Sequence, residues 1–324
     1  MRILITGGAG FIGSHLAEQL LAVGHDIVII DNFNDFYSPA IKRRNVSEIA
    51  CNAGKCESNL LVCEGDIRDS EFIQAVFIQE KPDAVIHLAA AAGVRPSIEN
   101  PLLYEEVNVR GTMNLLEAAK SIGLRLFLFA SSSSVYGNNP KVPFAEADPV
   151  DFPISPYAAT KKAGELICHS YHHLYGINIA CLRFFTVYGP RQRPDLAISK
   201  FVTMIGQKKP IPFYGDGSTS RDYTFIDDII TGVEKALAWV NTAGKRYDIF
   251  NLGGSSPVTL NRLVEIIEHE LEKKVILDRL PMQAGDVERT FADLEKSSSV
   301  LGYKPVMPIE KGIEAFVRWH QEMK

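Results

Sequence analysis

Tyr157 and Lys161 stand four residues apart in "SPYAATKKAGEL". Four residues is about one helical turn, so both side chains fall on one helix face. A free tyrosine has a pKa of about 10 and is a poor base at neutral pH. A neighbouring ammonium stabilises the phenolate and lowers that value. The pair is therefore an acid/base device suited to moving the proton of an alcohol. The spacing alone also arises as surface decoration, so its company matters. Upstream, "LFASSSSVYG" sets Ser131 to Ser134 behind an apolar run. A serine nucleophile wants a histidine or comparable base as partner, and this segment supplies none. These serines read as hydroxyl donors.

A second chemical device opens the chain. "TGGAGFIGSHLAEQLL" places Gly7, Gly10 and Gly13 three apart, between an apolar run and an amphipathic stretch. Glycines there allow a tight turn and let a pyrophosphate approach a helix N-terminus, whose N–H groups and dipole favour an anion. Asp31 follows eighteen residues after Gly13, at the end of the next apolar run, placed to accept from ribose hydroxyls. A carboxylate there repels a 2′-phosphate, which favours NAD over NADP. Lys42, Arg43 and Arg44 are the contrary signal, read here as a solvated helix start. Asp66 closes a third run and could face an adenine amino group. "HLAA", His87 to Ala90, ends a fourth with small side chains that allow close backbone approach. The positive nicotinamide ring of NAD would add to the stabilisation of a Tyr157 phenolate.

The elements that must position these groups are legible as alternation. "RILIT", "DIVIID", "LLVCEGD", "DAVIHLAA", "LRLFLFASS", "INIACLRFF" and "YDIFNLGG" are short apolar runs separated by amphipathic stretches. Runs that do not alternate in polarity suit strands buried on both faces. The pattern predicts an α/β fold with a doubly wound parallel sheet. Ser155 and Pro156 suit the N-cap and first position of the helix carrying Tyr157. After about residue 185, Pro and Gly become frequent, which marks long loops and a second region. The expected division is a dinucleotide domain over 1–185 with a returning segment near 222–254, and a smaller, discontinuous substrate domain over 186–324.

A net charge of −5 disfavours nucleic acid as a partner, because phosphate binding needs a basic surface. No apolar run reaches membrane-spanning length. No leader precedes the first strand, and five scattered cysteines do not form a disulfide framework, so the cytosol is expected. Cys51 and Cys56 lack a second ligand pair for structural zinc. His169, His172 and His173 read as a helix surface or a dimer contact, so no metal is expected.

"TGGAGFIG", "SSSSVYG" and "YAATK" together resemble the extended short-chain dehydrogenase/reductase family, in its nucleotide-sugar-modifying epimerase/dehydratase branch. The resemblance covers essentially the whole chain. It implies a Rossmann domain with a smaller C-terminal α/β domain, NAD held through the catalytic cycle, and UDP- or dTDP-hexose substrates. It also implies a homodimer packed through the helices near 104–121 and 156–174. Residue by residue, it implies cofactor contacts from Gly7, Gly10, Phe11, Ile12, Gly13, Asp31, Asn32, Asp66, Ile67, Ala89, Asn108, Tyr157 and Lys161. Ser132 falls where the family's epimerases keep the Ser or Thr that bonds the sugar 4-oxygen. Substrate contacts are implied for Arg95, Ser133, Ser134, Thr186, Arg193, Arg221 (diphosphate) and Asp286 (uridine ribose).

Family dehydratases carry Asp-Glu just before "VYG", and decarboxylases a glutamate directly before it. Ser133 and Ser134 stand there instead, which disfavours both reactions and leaves a hydride shuttle between alcohol and ketone. Galactose epimerases usually have Asn at Thr186, and many related epimerases an acid at Arg193. A guanidinium clamps a carboxylate with two hydrogen bonds. "DNFNDFYSPAIKRRN", "GVRPS" and "MQAGDV" resemble the uronate-acting group, UDP-glucuronate 4-epimerases. Gln283 replaces the arginine of galactose epimerases, while Ala284 departs from the proline usual in the uronate group. The expected reaction is reversible 4-epimerisation of UDP-glucuronate to UDP-galacturonate. The alternatives are epimerisation of UDP-glucose or UDP-N-acetylglucosamine, then decarboxylation of UDP-glucuronate, then a silent NAD-binding protein.

Overall fold

The structure is a computed structural model and describes residues 1–53, 58–282 and 287–323. Its first six strands are β1 (Arg2–Thr6), β2 (Asp26–Asp31), β3 (Leu60–Glu64), β4 (Ala84–His87), β5 (Leu126–Ser132) and β6 (Asn178–Phe184). They are followed by β7 (Thr186–Tyr188), β8 (Ile211–Tyr214), β9 (Ser220–Phe225), β10 (Tyr247–Leu252), β11 (Pro257–Thr259) and β12 (Leu277–Leu280). Seven of them form one sheet in the order β10-β6-β5-β4-β1-β2-β3. β1 pairs in parallel with β2 on one side and β4 on the other, Ile3 lying opposite both Ile27 and Ala84. The apolar runs suit this because β1, β4 and β5 are covered on both faces, and Ile3, Leu4, Ile5, Val85, Phe127 and Leu128 have no exposed surface. The chain winds outward from β1 to β3, then returns to β4 on the other side of β1. That reversal opens a crevice beyond the C-terminal ends of β1 and β4, where ligands bind in such sheets.

The chain divides into two compact units. The first comprises residues 1–137, 149–183 and 230–250, and the second 138–148, 184–229 and 251–324. The two largest departures from the boundaries expected from sequence, at 138–148 and 222–229, each have a local reason, and the junctions at 185 and 254 fall a few residues earlier. Segment 138–148 packs with the second unit because Phe144 exchanges backbone bonds with Phe291 and Asp293, while the Asn251 amide donates to the Phe144 carbonyl. The return begins at Ile230 rather than near 222, because β9 joins β7 and β11 in a three-stranded sheet of the second unit. Asp222 on β9 is fully buried and accepts from the backbone N–H of Gly254 (2.7 Å), Ser255 (3.0 Å) and Ala292 (2.8 Å). Burial pushes this carboxyl up to about 6 against those bonds. The second unit also holds the parallel pair β8 and β12 and amphipathic helices at Ala197–Gly206, Leu260–Leu271 and Ile309–Glu322. No described helix is long and apolar enough to cross a membrane.

Candidate active site

The loop after β1 turns with Gly7 at φ +72° and leads into the helix Phe11–Ala22. A Cβ on Gly7 would lie 2.8 Å from the Ala89 nitrogen, and one on Gly13 would run into the Gly7 carbonyl oxygen. Backbone therefore approaches backbone here with no room for a side chain. The helix has no acidic residue in its first turn, so its N-terminal dipole stays open to an anion. Phe11 and Gly13 are buried, and Ile12 half-buried.

Asp31 ends β2 and is buried. Its Oδ2 accepts from Ala9 N (3.1 Å) and its Oδ1 from Phe33 N (2.9 Å), so the carboxylate ties the glycine loop to the end of β2. Burial pushes this carboxyl up, and those bonds oppose the shift. The Asn32 amide donates to Asp66 Oδ2 (3.0 Å). Burial would raise Asp66, but its bonds from Arg68 and Asn32 outweigh that and hold it near about 2. Ile67 is buried beneath Gly111.

The basic trio corrects one expectation. Lys42 is buried, not solvated: its Nζ donates to the Asn34 carbonyl and side-chain oxygens (both 2.8 Å) and lies over the Tyr37 ring. Arg43 pairs with Glu64 through two nitrogens and Arg44 with Glu48. The cluster braces the chain after β2.

At the end of β4, the Thr112 hydroxyl donates to the Asn108 carbonyl and so accepts from His87 Nε2 (3.0 Å). That leaves His87 Nδ1 to accept from Thr6 Oγ1 (2.7 Å), which itself accepts from Ala89 N. Both nitrogens of a neutral imidazole are thus satisfied. Burial, then the Lys161 charge, push its pKa down to about 3. Asn108 sits in a π-helical turn, Glu106–Arg110, a distortion frequent at functional sites. Its amide bonds both the N–H and C=O of Ala91 and donates to Thr160 Oγ1 (3.0 Å).

That last bond reaches the helix Pro156–Tyr175. Ser155 caps it by accepting from Ala158 N (3.2 Å), and Pro156 opens its first turn, as the sequence predicts. Lys161 is buried, and its Nζ donates to the Ala130 carbonyl on β5 (2.7 Å), 5.9 Å from the centroid of the Tyr157 ring. Burial pushes this ammonium down to about 8. The half-buried Tyr157 ring meets Tyr104 edge to face at 6.1 Å. Ser132 ends β5, and its hydroxyl accepts from Ser134 N (3.1 Å) and donates to Ser134 Oγ (3.2 Å). Ser133 and Ser134 form the following 3₁₀ turn and are half-buried. The structure thus brings Tyr157, Lys161 and the end of β5 together within the first unit.

Sequence reasoning passed over two residues in this unit, Glu165 and Arg183, and the meeting of Ser131 with them. Glu165 continues the four-residue spacing of Tyr157 and Lys161. Its carboxylate accepts from Ser131 Oγ (2.7 Å) and from Arg183 Nε and Nη2 (2.8 and 2.9 Å). Burial raises Glu165, yet Arg183 and Ser131 outweigh it and hold the carboxyl below its usual range. The available signals were that spacing and a lone arginine within the apolar run "IACLRFF".

Arg95 lies exposed on the short helix Val94–Glu99. The remaining sequence-predicted substrate residues belong to the second unit. Thr186 begins β7 and is half-buried. Arg193 grips Asp195 with two bonds, Nε to Oδ1 (3.0 Å) and Nη2 to Oδ2 (2.9 Å). Arg221 Nη1 donates to the Ser220 carbonyl (3.0 Å). Asp286, Gln283, Ala284 and Cys56 lie outside the described residues. His172 is used structurally, hydrogen-bonding the Ile177 carbonyl, and His169 meets the Tyr247 ring at 4.9 Å. Among the described residues, no cluster of three or more His, Cys, Asp or Glu is placed to hold a metal ion.

Residues 4–316 match the family model described as GDP-mannose 4,6 dehydratase. The chain is 42% identical over 321 residues to UDP-glucuronate 4-epimerase of Thermodesulfobacterium geofontis, an alignment covering 98% of this chain and 96% of that one. UDP-glucuronic acid 4-epimerase from Bacillus cereus, solved in complex with UDP-glucuronic acid and NAD, is similar with a TM-score of 0.90 at 35% identity, covering 100% of both chains. UDP-glucose 4-epimerase from Thermotoga maritima, solved with UDP-glucose, gives a TM-score of 0.89 at 30% identity, covering 100% of this chain and 99% of that one.

Proposed function

The chain belongs to the NAD-dependent epimerase/dehydratase family of extended short-chain dehydrogenases/reductases, and from that premise we propose that it is an NAD-dependent UDP-sugar 4-epimerase acting on UDP-glucuronate. The observation that carries the reading is the buried Lys161 ammonium, fixed to Ala130 one helical turn from Tyr157.

The glycine loop fits NAD: Gly7 and Gly13 leave no room for a side chain, so the loop packs backbone on backbone into the tight turn that presents a helix N-terminus to a pyrophosphate. Gly7, Gly10 and Gly13 with the following Phe11 and Ile12 would hold the pyrophosphate, Asp31 and Asn32 the adenosine ribose, and Asp66 and Ile67 the adenine. Ala89 and Asn108 would flank the nicotinamide end. Bound there, NAD would supply a reversible acceptor for the hydride at C4 of the sugar.

The protein's own residues manage the proton. Lys161 holds Tyr157 toward its phenolate, and Tyr157 takes the 4-OH proton, directly or through Ser132, then gives it back. Turning the keto sugar about its phosphate linkage presents the other face. The 4-keto uronate is a β-keto acid prone to lose CO₂. With Ser133 and Ser134 at the positions where the family's dehydratases and decarboxylases carry acids, neither position supplies a carboxylate to promote elimination or decarboxylation. Thr186 and Arg193 hold the sugar carboxylate, Arg95 and the serines the sugar hydroxyls, Arg221 the diphosphate and Asp286 the uridine ribose. The Arg193 fork already takes the Asp195 carboxylate in two-bond geometry, which supports its fitness for a uronate.

Incubating the purified protein with UDP-glucuronate and resolving the products by NMR tests the reading; UDP-galacturonate is expected. Arg193→Ala should lower kcat/KM for the uronate by about 10²-fold or more, as expected when a two-bond charged contact is lost, and spare a neutral UDP-hexose. Unchanged uronate turnover in that variant would shift the assignment to UDP-glucose or UDP-N-acetylglucosamine.

The same reading gives a cytosolic homodimer. Leu102, Met113, Leu166 and Leu174, on helices spanning 101–121 and 156–175, expose apolar surface that a second copy would cover. Light scattering at micromolar concentration should give twice the monomer mass.

A further inference from the structure

We propose that Glu165, Arg183 and Ser131 form a positioning cluster that sets the register between the helix carrying Tyr157 and the strand end carrying Ser132. This rests on the catalytic reading of Tyr157.

The helix Pro156–Tyr175 lies hard against β5. A Cβ on Gly164 would collide with the Phe129 ring. Close approach fixes the separation of helix and strand but leaves sliding along the strand direction open. Two side-chain bonds remove that freedom. Lys161 Nζ donates to the Ala130 carbonyl (2.7 Å), and Ser131 Oγ donates to Glu165 Oε1 (2.7 Å). Lys161 and Glu165 are one turn apart on the helix, and Ala130 and Ser131 are adjacent on the strand, so the bonds act as a two-point clamp. The next residue of β5 is Ser132, and the preceding turn of the helix carries Tyr157.

Arg183 completes the clamp from β6. It grips both Glu165 oxygens and lies over the Tyr136 ring at 4.8 Å, in the 3₁₀ turn that follows Ser132. The Tyr247 hydroxyl on β10 donates to the Glu165 carbonyl (3.0 Å). Strands β5, β6 and β10 thus converge on one helical turn. Glu165 and Arg183 are each 1% exposed. Burying such a pair costs about as much desolvation as its attraction returns, and apolar replacements of similar volume are often neutral or better for stability. Global stability therefore does not account for the pair. What it adds is direction: a forked guanidinium on a carboxylate has one geometry, whereas an apolar contact can slide.

The test uses the full-length protein with NAD. Ser131→Ala removes one point of the clamp with minimal change of volume. The double variant Glu165→Leu/Arg183→Met removes the two fully buried charges together and leaves only the partly exposed Lys162, 3.4 Å from Glu165 Oε2, without that partner. Thermal denaturation should show both variants folded. KM for the UDP-sugar should stay within about twofold, while kcat falls about 10- to 100-fold, the scale expected of a misplaced reacting group. The acid limb of the kcat–pH profile should move to higher pH, because a displaced Tyr157 loses phenolate stabilisation; restoring Ser131→Thr should recover kcat. Folded variants with wild-type kcat and an unmoved acid limb would overturn the proposal. Tyr157→Phe, measured alongside, separates the two assignments: turnover surviving there overturns the catalytic reading and the cluster's role with it. Turnover lost there but intact in the double variant overturns the cluster alone.

Discussion

At the residue scale, the reading turns on how one ammonium is kept. Lys161 is buried against a carbonyl, and burial brings its pKa down to about 8. The sign is that of a cation disfavoured by desolvation: the ammonium is present below that pH and lost above it. Turnover should therefore fall as pH rises past about 8, when the charge that stabilises the Tyr157 phenolate disappears. Lys161→Arg keeps its charge throughout that range and should abolish this limb, even at a reduced plateau. An alkaline limb unmoved in the arginine variant would assign the titration to another group. Tyr157 and Lys161 were legible because their spacing is local to one helix. Glu165 shared that spacing, but its partners Ser131 and Arg183 lie on two strands distant in the chain, and no local pattern announces such a meeting. Lys42 was misread for the same reason. Three consecutive basic residues look like a solvated face, yet one turns inward to hold Asn34.

At the element scale, the glycine loop, the end of β2 and the end of β4 form one backbone assembly. Asp31 accepts from the loop at Ala9, and Thr6 links His87 to Ala89. The strand runs and the N-cap at Ser155 were legible from apolar patterning and capping chemistry. The π-turn around Asn108 was not, because its sequence "EEVNVRG" is ordinary helical material. Gly13→Ala probes the assembly directly, since its Cβ would meet the Gly7 carbonyl rather than a flexible side chain. Relief requires moving the loop, at a cost of about 1–3 kcal/mol. Purified Gly13→Ala should have a lower Tm and carry less NAD than the wild type; a variant with wild-type NAD content would show that the close approach is dispensable.

For the whole molecule, two buried groups pull stability in opposite directions with pH. His87 has a pKa of about 3 in the folded state, against about 6.5 unfolded. Between those values the unfolded chain takes a proton that the folded one refuses, so His87 makes stability fall as pH falls from 6.5 toward 3. Asp222, raised to about 6, works the other way: its folded form holds a proton longer, so its contribution falls as pH rises from about 4 to 6. Replacing His87 with Gln should remove the first effect and leave the second. The stability gap between wild type and variant should change by up to about 1.4 kcal/mol per pH unit across that acid range. Urea denaturation at pH 7.0 and pH 4.5 measures it, and a gap independent of pH would contradict a neutral buried imidazole. The parallel, doubly wound class of the main sheet followed from alternating runs and the glycine fingerprint. The division of the chain did not, because membership of 138–148 and of β9 is decided by non-local bonds to residues 251–293.

The central claim is a hydride taken from C4 of UDP-glucuronate and returned to the opposite face of the same sugar. Incubation with UDP-glucuronate in deuterium oxide, followed by proton NMR, tests it most directly. The product expected is UDP-galacturonate that retains protium at C4, because the hydride never exchanges with solvent. Deuterium at C4, a UDP-pentose, or unaltered UDP-glucuronate would contradict it.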